Sequence, residues 1–177
     1  MTRFILGFVM LCLFSSLTAV AQPDGYEVLV DPNHPEKKML RGTIQKTLLA
    51  NDTAFAWYAM NHKSYAPSAD LVQTVASSVE KNVYFIVFGG TWCSDTQFIL
   101  PRMLKLFEQA NVPDDRIVLI AVDRQKKTIG PLAQAMQATN VPTVIVMQQG
   151  KELGRVVEYG KTGQWDKELA EIVKLVP

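Results

Sequence analysis

The stretch "VYFIVFGGTWCSDTQFIL", residues 83–100, holds a strand, a turn and the start of a helix in one run. Residues 83–88 are β-branched and aromatic, and Gly89-Gly90 closes them, which is the composition of a short buried strand. Past Cys93 the spacing changes. Phe98, Leu100, Met103, Leu104 and Phe107 recur on one side and predict a helix from about Cys93 to Ala110. Pro101 lies inside it and predicts a kink. Trp92 and Cys93 stand at the junction. One turn after Cys93, where a second thiol would make a redox pair, the chain has Thr96.

The pattern continues outward on both sides. "RIVLIAVD", residues 116–123, reads as a second buried strand, and residues 130–140 as a helix with Pro131 in its first turn. Residues 141–160 read as strand, turn at Gln149-Gly150, and strand. Residues 164–176 close as an amphipathic helix with Trp165, Leu169, Ile172 and Val176 on its buried face. On the N-terminal side, Pro67 marks a turn and Ser68 a helix cap. The helix runs to about Glu80 on a stripe of Leu71, Val72, Val75 and Val79. Residues 43–60 favour helix through Ile44, Leu48, Phe55 and Ala59, with a break at Asn51-Asp52-Thr53. Residues 22–42 hold three prolines and two glycines and predict an irregular or short-strand lead-in. Strand, helix, strand, helix, strand, strand, helix from Val83 onward implies an α/β sheet with helices on both faces. A right-handed first crossover makes its first two strands parallel.

Residues 1–21 are different in kind. Arg3 precedes the apolar run "FILGFVMLCLF", and Ala19-Val20-Ala21 supplies a small-residue cleavage site. This predicts a signal peptide cleaved after Ala21, and hence an exported protein with no membrane span after cleavage. "VML" before Cys12 is not a lipoprotein signal. The mature chain then keeps one cysteine, Cys93, and has no internal disulfide. The 177 residues carry a formal net charge of +1 with scattered Lys and Arg, so no nucleic-acid partner is expected. His34 and His62 lie far from Cys93 in sequence, so no metal and no cofactor is expected.

At this point the chain resembles the thioredoxin-like superfamily, in particular its exported bacterial members, over residues 68–177. "WCSDT" at a strand exit, Pro101 in the following helix, "VPT" at residues 141–143 and the hairpin ending in "EYG" carry the resemblance. It implies a thioredoxin-like fold, a central mixed sheet flanked by helices, with residues 22–67 as a mainly helical N-terminal extension. It also implies a periplasmic location, and a cis bond before Pro142 that sets Val141 and Pro142 against the sulfur. The backbone of Val141 would then pair with an extended substrate, and Trp92 would shape the surface beside it. Two parts of a dithiol cycle are missing: Thr96 replaces the second thiol, and Val87 stands where thioredoxins bury a carboxylate.

The thiolate is the reactive form of cysteine. A helix N-terminus at Cys93 favours it, and the Thr96 hydroxyl can point back at the sulfur. Asp95 either disfavours the thiolate as a neighbouring charge or caps free amides. Asp123, at the end of a strand, reads as a cap or turn residue. These residues fit a monothiol thiol–disulfide oxidoreductase or isomerase with Cys93 and Thr96 as catalytic residues. Its substrates would be protein or low-molecular-weight disulfides, and an external thiol would release the mixed disulfide. The alternatives are a binding module with a vestigial Cys93 and a thiol peroxidase. The peroxidase lacks support, because Gly90 stands where peroxiredoxins carry a threonine. Three roles stay open for residues 22–67: covering the site, extending the sheet, or dimerising.

Overall fold

The computed structural model describes residues 25–176, so the expected signal peptide lies outside the described residues. Along the chain run β1 (Tyr26–Asp31), β2 (His34–Ile44), α1 (Lys46–Asn51), a 3₁₀ turn (Thr53–Phe55), α2 (Trp57–Lys63) and α3 (Ala69–Glu80). Then follow β3 (Val83–Gly89), α4 (Ser94–Gln109), β4 (Ile117–Ala121), α5 (Leu132–Ala135), β5 (Thr143–Gln148), β6 (Lys151–Val157) and α6 (Trp165–Lys174). One six-stranded sheet takes them in the order β1-β2-β4-β3-β5-β6. As expected, β3 and β4 are parallel. All other pairs are antiparallel.

The alternation of β3 decides its surroundings. Phe85 and Val87 point into the larger core, where Leu49, Tyr58, Val75, Met103, Phe107 and Leu169 bring in α1, α2, α3, α4 and α6. Phe88 points the other way, into a smaller cluster with Ile120, Val122, Ala133, Ala138, Val141 and Ile145. Helices therefore cover both faces, though unequally, with α5 on the second. Local chemistry sets several boundaries. The Ser68 hydroxyl accepts the Leu71 N–H at 3.4 Å and starts α3. Gln149 and Gly150 have φ of 50° and 76°, the left-handed pair that a two-residue hairpin between β5 and β6 needs.

Three segments differ from the expectation. Residues 26–44 form a hairpin in place of an irregular lead-in, turned at Asp31, whose Oδ1 accepts the Asn33 N–H at 3.0 Å. Thr43 and Ile44 belong to β2, because they pair with Ile120 and Leu119 on the open side of β4. The extension is helical only from Lys46 onward, broken near Asp52 as its sequence suggested. The helix expected over 130–140 shrinks to a single turn. Gln137 adopts φ 53°, and the Ala138 N–H reaches back to the Ala133 carbonyl at 2.8 Å. Of the roles open to residues 22–67, extending the sheet is realised. Leu40, Ile44, Leu49, Phe55 and Tyr58 also share one core with Phe85 and Phe107, so residue 67 does not separate two packing units. Among the described residues, no helix is long and apolar enough to cross a membrane.

Candidate active site

Parallel pairing of β3 with β4 ends both strands on one side, and the chain turns there at Gly89-Gly90. The Cys93 N–H donates to the Gly90 carbonyl at 2.9 Å, and Cys93 becomes the N-terminal cap residue of α4. Its side chain is half-buried. The thiol donates to the Val141 carbonyl at 3.3 Å, and the Val141–Pro142 bond is cis. The structure thus brings Cys93, Val141 and Pro142 together, as the resemblance implied. α4 continues through Pro101.

Trp92 lies on the flank of the sulfur. Its indole N–H donates to the Val122 carbonyl at 2.9 Å. The guanidinium of Arg124 sits 4.9 Å above its ring and the ammonium of Lys126 5.2 Å above it. The ring also rests on Gly90, where a Cβ would lie 2.6 Å from one of its carbons. Gly90→Ala is therefore expected to push the indole off Val122. It should lower stability by about 1–3 kcal/mol, the usual range for overpacking, read as a lower denaturation midpoint.

Thr96 is placed differently from the expectation. Its hydroxyl accepts the Gly90 N–H at 3.1 Å and makes no hydrogen bond to the sulfur among the described residues. It is fully buried and fastens the turn. Asp95 does not cap α4 amides either. It lies near the Tyr159 phenol, whose pKa is raised by burial first and then by the Asp95 charge. Tyr159 in turn packs on Phe98 at 5.9 Å, a half-exposed aromatic pair on the Asp95 side of the site. Asp123 is a turn residue: its Oδ1 accepts the N–H groups of Gln125 and Lys127, each at 2.9 Å.

Hydrogen bonds from the extension hold this site. The Leu40 N–H in β2 donates to the Thr91 hydroxyl at 3.1 Å. The Asn61 amide in α2 donates to the Gln97 carbonyl at 3.0 Å. Asp31, only 1% exposed, accepts two bonds from Arg124, at 2.6 Å and 2.8 Å. The Asp31 carboxyl is lowered to about 2, first by the Arg124 hydrogen bond, with burial opposing. Arg124 is held charged by Asp31 first and by the nearby Cys93 sulfur to a lesser degree. Sequence reasoning missed Arg124. The one signal was its place just after a strand end on the side of the site.

Among the described residues no group of His, Cys, Asp and Glu is arranged to hold a metal ion. Val87, 1% exposed, lies in the main core between Leu119 and Val144. No carboxylate therefore stands beneath the turn at that position.

A family model described as Thioredoxin matches residues 43–170. No curated protein matches the chain. Among solved structures the chain is similar to a protein of unknown function from Pseudomonas aeruginosa, at 17% identity and a TM-score of 0.51. That match covers 73% of this chain and 90% of that one. It is similar to an HIV epitope scaffold at 18% identity, with the same coverage and TM-score. At these identities the solved structures show a shared fold.

Proposed function

The chain belongs to the thioredoxin family, and from that premise we propose that it is a monothiol thiol–disulfide oxidoreductase or isomerase acting through Cys93. The observation that carries this reading is the contact of the Cys93 thiol with the Val141 carbonyl, next to the cis bond of Pro142. The reactive atom and the backbone proposed to seat an extended substrate are adjacent there. The Cys93 thiolate attacks one sulfur of a substrate disulfide. The substrate S–S bond breaks, a Cys93–substrate disulfide forms, and the second sulfur leaves as thiolate. Thr96 offers no second sulfur, so an external thiolate must attack the mixed disulfide, restoring Cys93 and closing the cycle. The signal sequence expected at residues 1–21 supports action in the bacterial periplasm.

The test uses the chain with Cys12→Ala, in which Cys93 is the only thiol. With excess hydroxyethyl disulfide, mass spectrometry is expected to find one adduct, on Cys93, that persists until glutathione is added. Cys93→Ser in the same background should trap nothing. Adduct formation no faster than with free cysteine would instead support the binding module, which the apolar Val87 and the buried Thr96 favour.

A further inference from the structure

Between β4 and α5 the chain folds around an open cleft of about 820 Å³. Its lining includes Lys126, Lys127, Gln125, Gln134, Gln137 and Thr139, and no carboxylate. The lysines make no ion pair among the described residues. The one hydrogen bond from the Lys126 ammonium goes to the Arg124 carbonyl, at 3.3 Å. The turn carrying them is fixed by Asp123, which binds the N–H groups on either side of Lys126. The cleft shares apolar residues with the site. Ala133 and Ala138 line it and belong to the same apolar cluster as Val141, against which Trp92 and Cys93 pack. Lys126 lines the cleft, and its ammonium lies 5.2 Å from the ring of Trp92, the residue before Cys93.

We infer that this cleft binds the carboxylate-bearing part of a low-molecular-weight disulfide whose sulfur reacts with Cys93. The inference rests on the thiol–disulfide reading and names its substrate class. Two cations without acidic partners, in a hollow without carboxylates, favour an anion. Amide and hydroxyl groups around them supply further hydrogen bonds to it. The reaction is the exchange already written: Cys93 takes one half of the disulfide, and the other half leaves as an anionic thiolate. Attraction of this kind acts on the encounter rate and weakens as salt rises.

The experiment measures mixed-disulfide formation on Cys93 in the Cys12→Ala chain with three probes. They are oxidised glutathione, neutral hydroxyethyl disulfide and cationic cystamine, each rate divided by that probe's rate with free mercaptoethanol. Oxidised glutathione is expected to lead the neutral probe by about tenfold at low salt, and cystamine to trail it. Added salt should compress the order. Lys126→Gln with Lys127→Gln should bring the ratio of the anionic to the neutral probe close to one. Equal normalised rates for all three probes would overturn the cleft assignment and leave the thiol reading standing. So would an anionic preference that survives both substitutions. If no probe reacts, the thiol reading falls, and this inference with it.

Discussion

Thr96→Cys is expected to raise disulfide reductase turnover by about tenfold or more, because it supplies the missing thiol inside the molecule. An internal thiol acts at an effective concentration in the millimolar range even through a flexible link. The value is far higher when the geometry is fixed. Position 96 lies one helical turn from Cys93, on a helix whose start is pinned by the Gly90–Cys93 and Gly90–Thr96 hydrogen bonds. The substitution carries a structural cost. The Thr96 hydroxyl accepts the Gly90 N–H, and sulfur accepts weakly, so stability should fall by about 1–3 kcal/mol, the range for a buried donor left without a partner. Thermal denaturation separates this loss from the gain in turnover. A folded Thr96→Cys protein with no gain would shift attention to Val87, whose apolar side chain offers no proton acceptor beneath the pair. Adding Val87→Asp would then be expected to recover the gain. A flat result in both chains would mean that the missing thiol does not limit the chemistry.

Features encoded over a few residues were legible in the sequence. The cap at Ser68, the strand ending at Gly89, the helix from Cys93 to Ala110 and the turn at Gln149-Gly150 each follow from local steric and hydrogen-bonding preferences. The hairpin of β1 and β2 was not. β2 carries Pro35 and a run of charges, and its pairing with β4 is set by an open sheet edge far along the chain. The short α5 was hidden for a related reason. Apolar spacing allowed a longer helix, and the left-handed Gln137 ends it ahead of the Val141–Pro142 turn. At the candidate site, the resemblance carried by "WCSDT" and "VPT" implied that Cys93 lies against Val141 and Pro142, and the structure places them together. Thr96 was found as a residue and misjudged as a contact, since its partner is the Gly90 amide. Arg124 and Asp31 are 93 positions apart, and no local pattern links them.

That pair carries the second large effect. Asp31→Asn is expected to destabilise the protein by about 2–3 kcal/mol at neutral pH, which for a chain of this size lowers the denaturation midpoint by about 4–12 °C. Losing one partner of a buried ion pair costs about 3–5 kcal/mol. Arg124 keeps a fifth of its side chain exposed, and water recovers part of that loss. The pH dependence offers an independent check. The Asp31 carboxyl titrates at about 2 in the folded chain against an ordinary 3.8, so its stabilisation is present above pH 4 and is lost as pH falls toward 2. The wild-type chain should therefore lose its advantage over Asp31→Asn across that window. A second reading concerns the site. If the hairpin only widens the sheet, Asp31→Asn lowers the midpoint and leaves the reaction of Cys93 with hydroxyethyl disulfide unchanged. If Asp31 also orients Arg124 on Trp92 beside the sulfur, that rate falls as well, under conditions where both chains remain folded. Equal stability of the two chains at pH 7 would mean that desolvating Asp31 costs as much as its two bonds to Arg124 return. The pair would then serve placement of the Arg124 guanidinium and add nothing net to the stability of the fold.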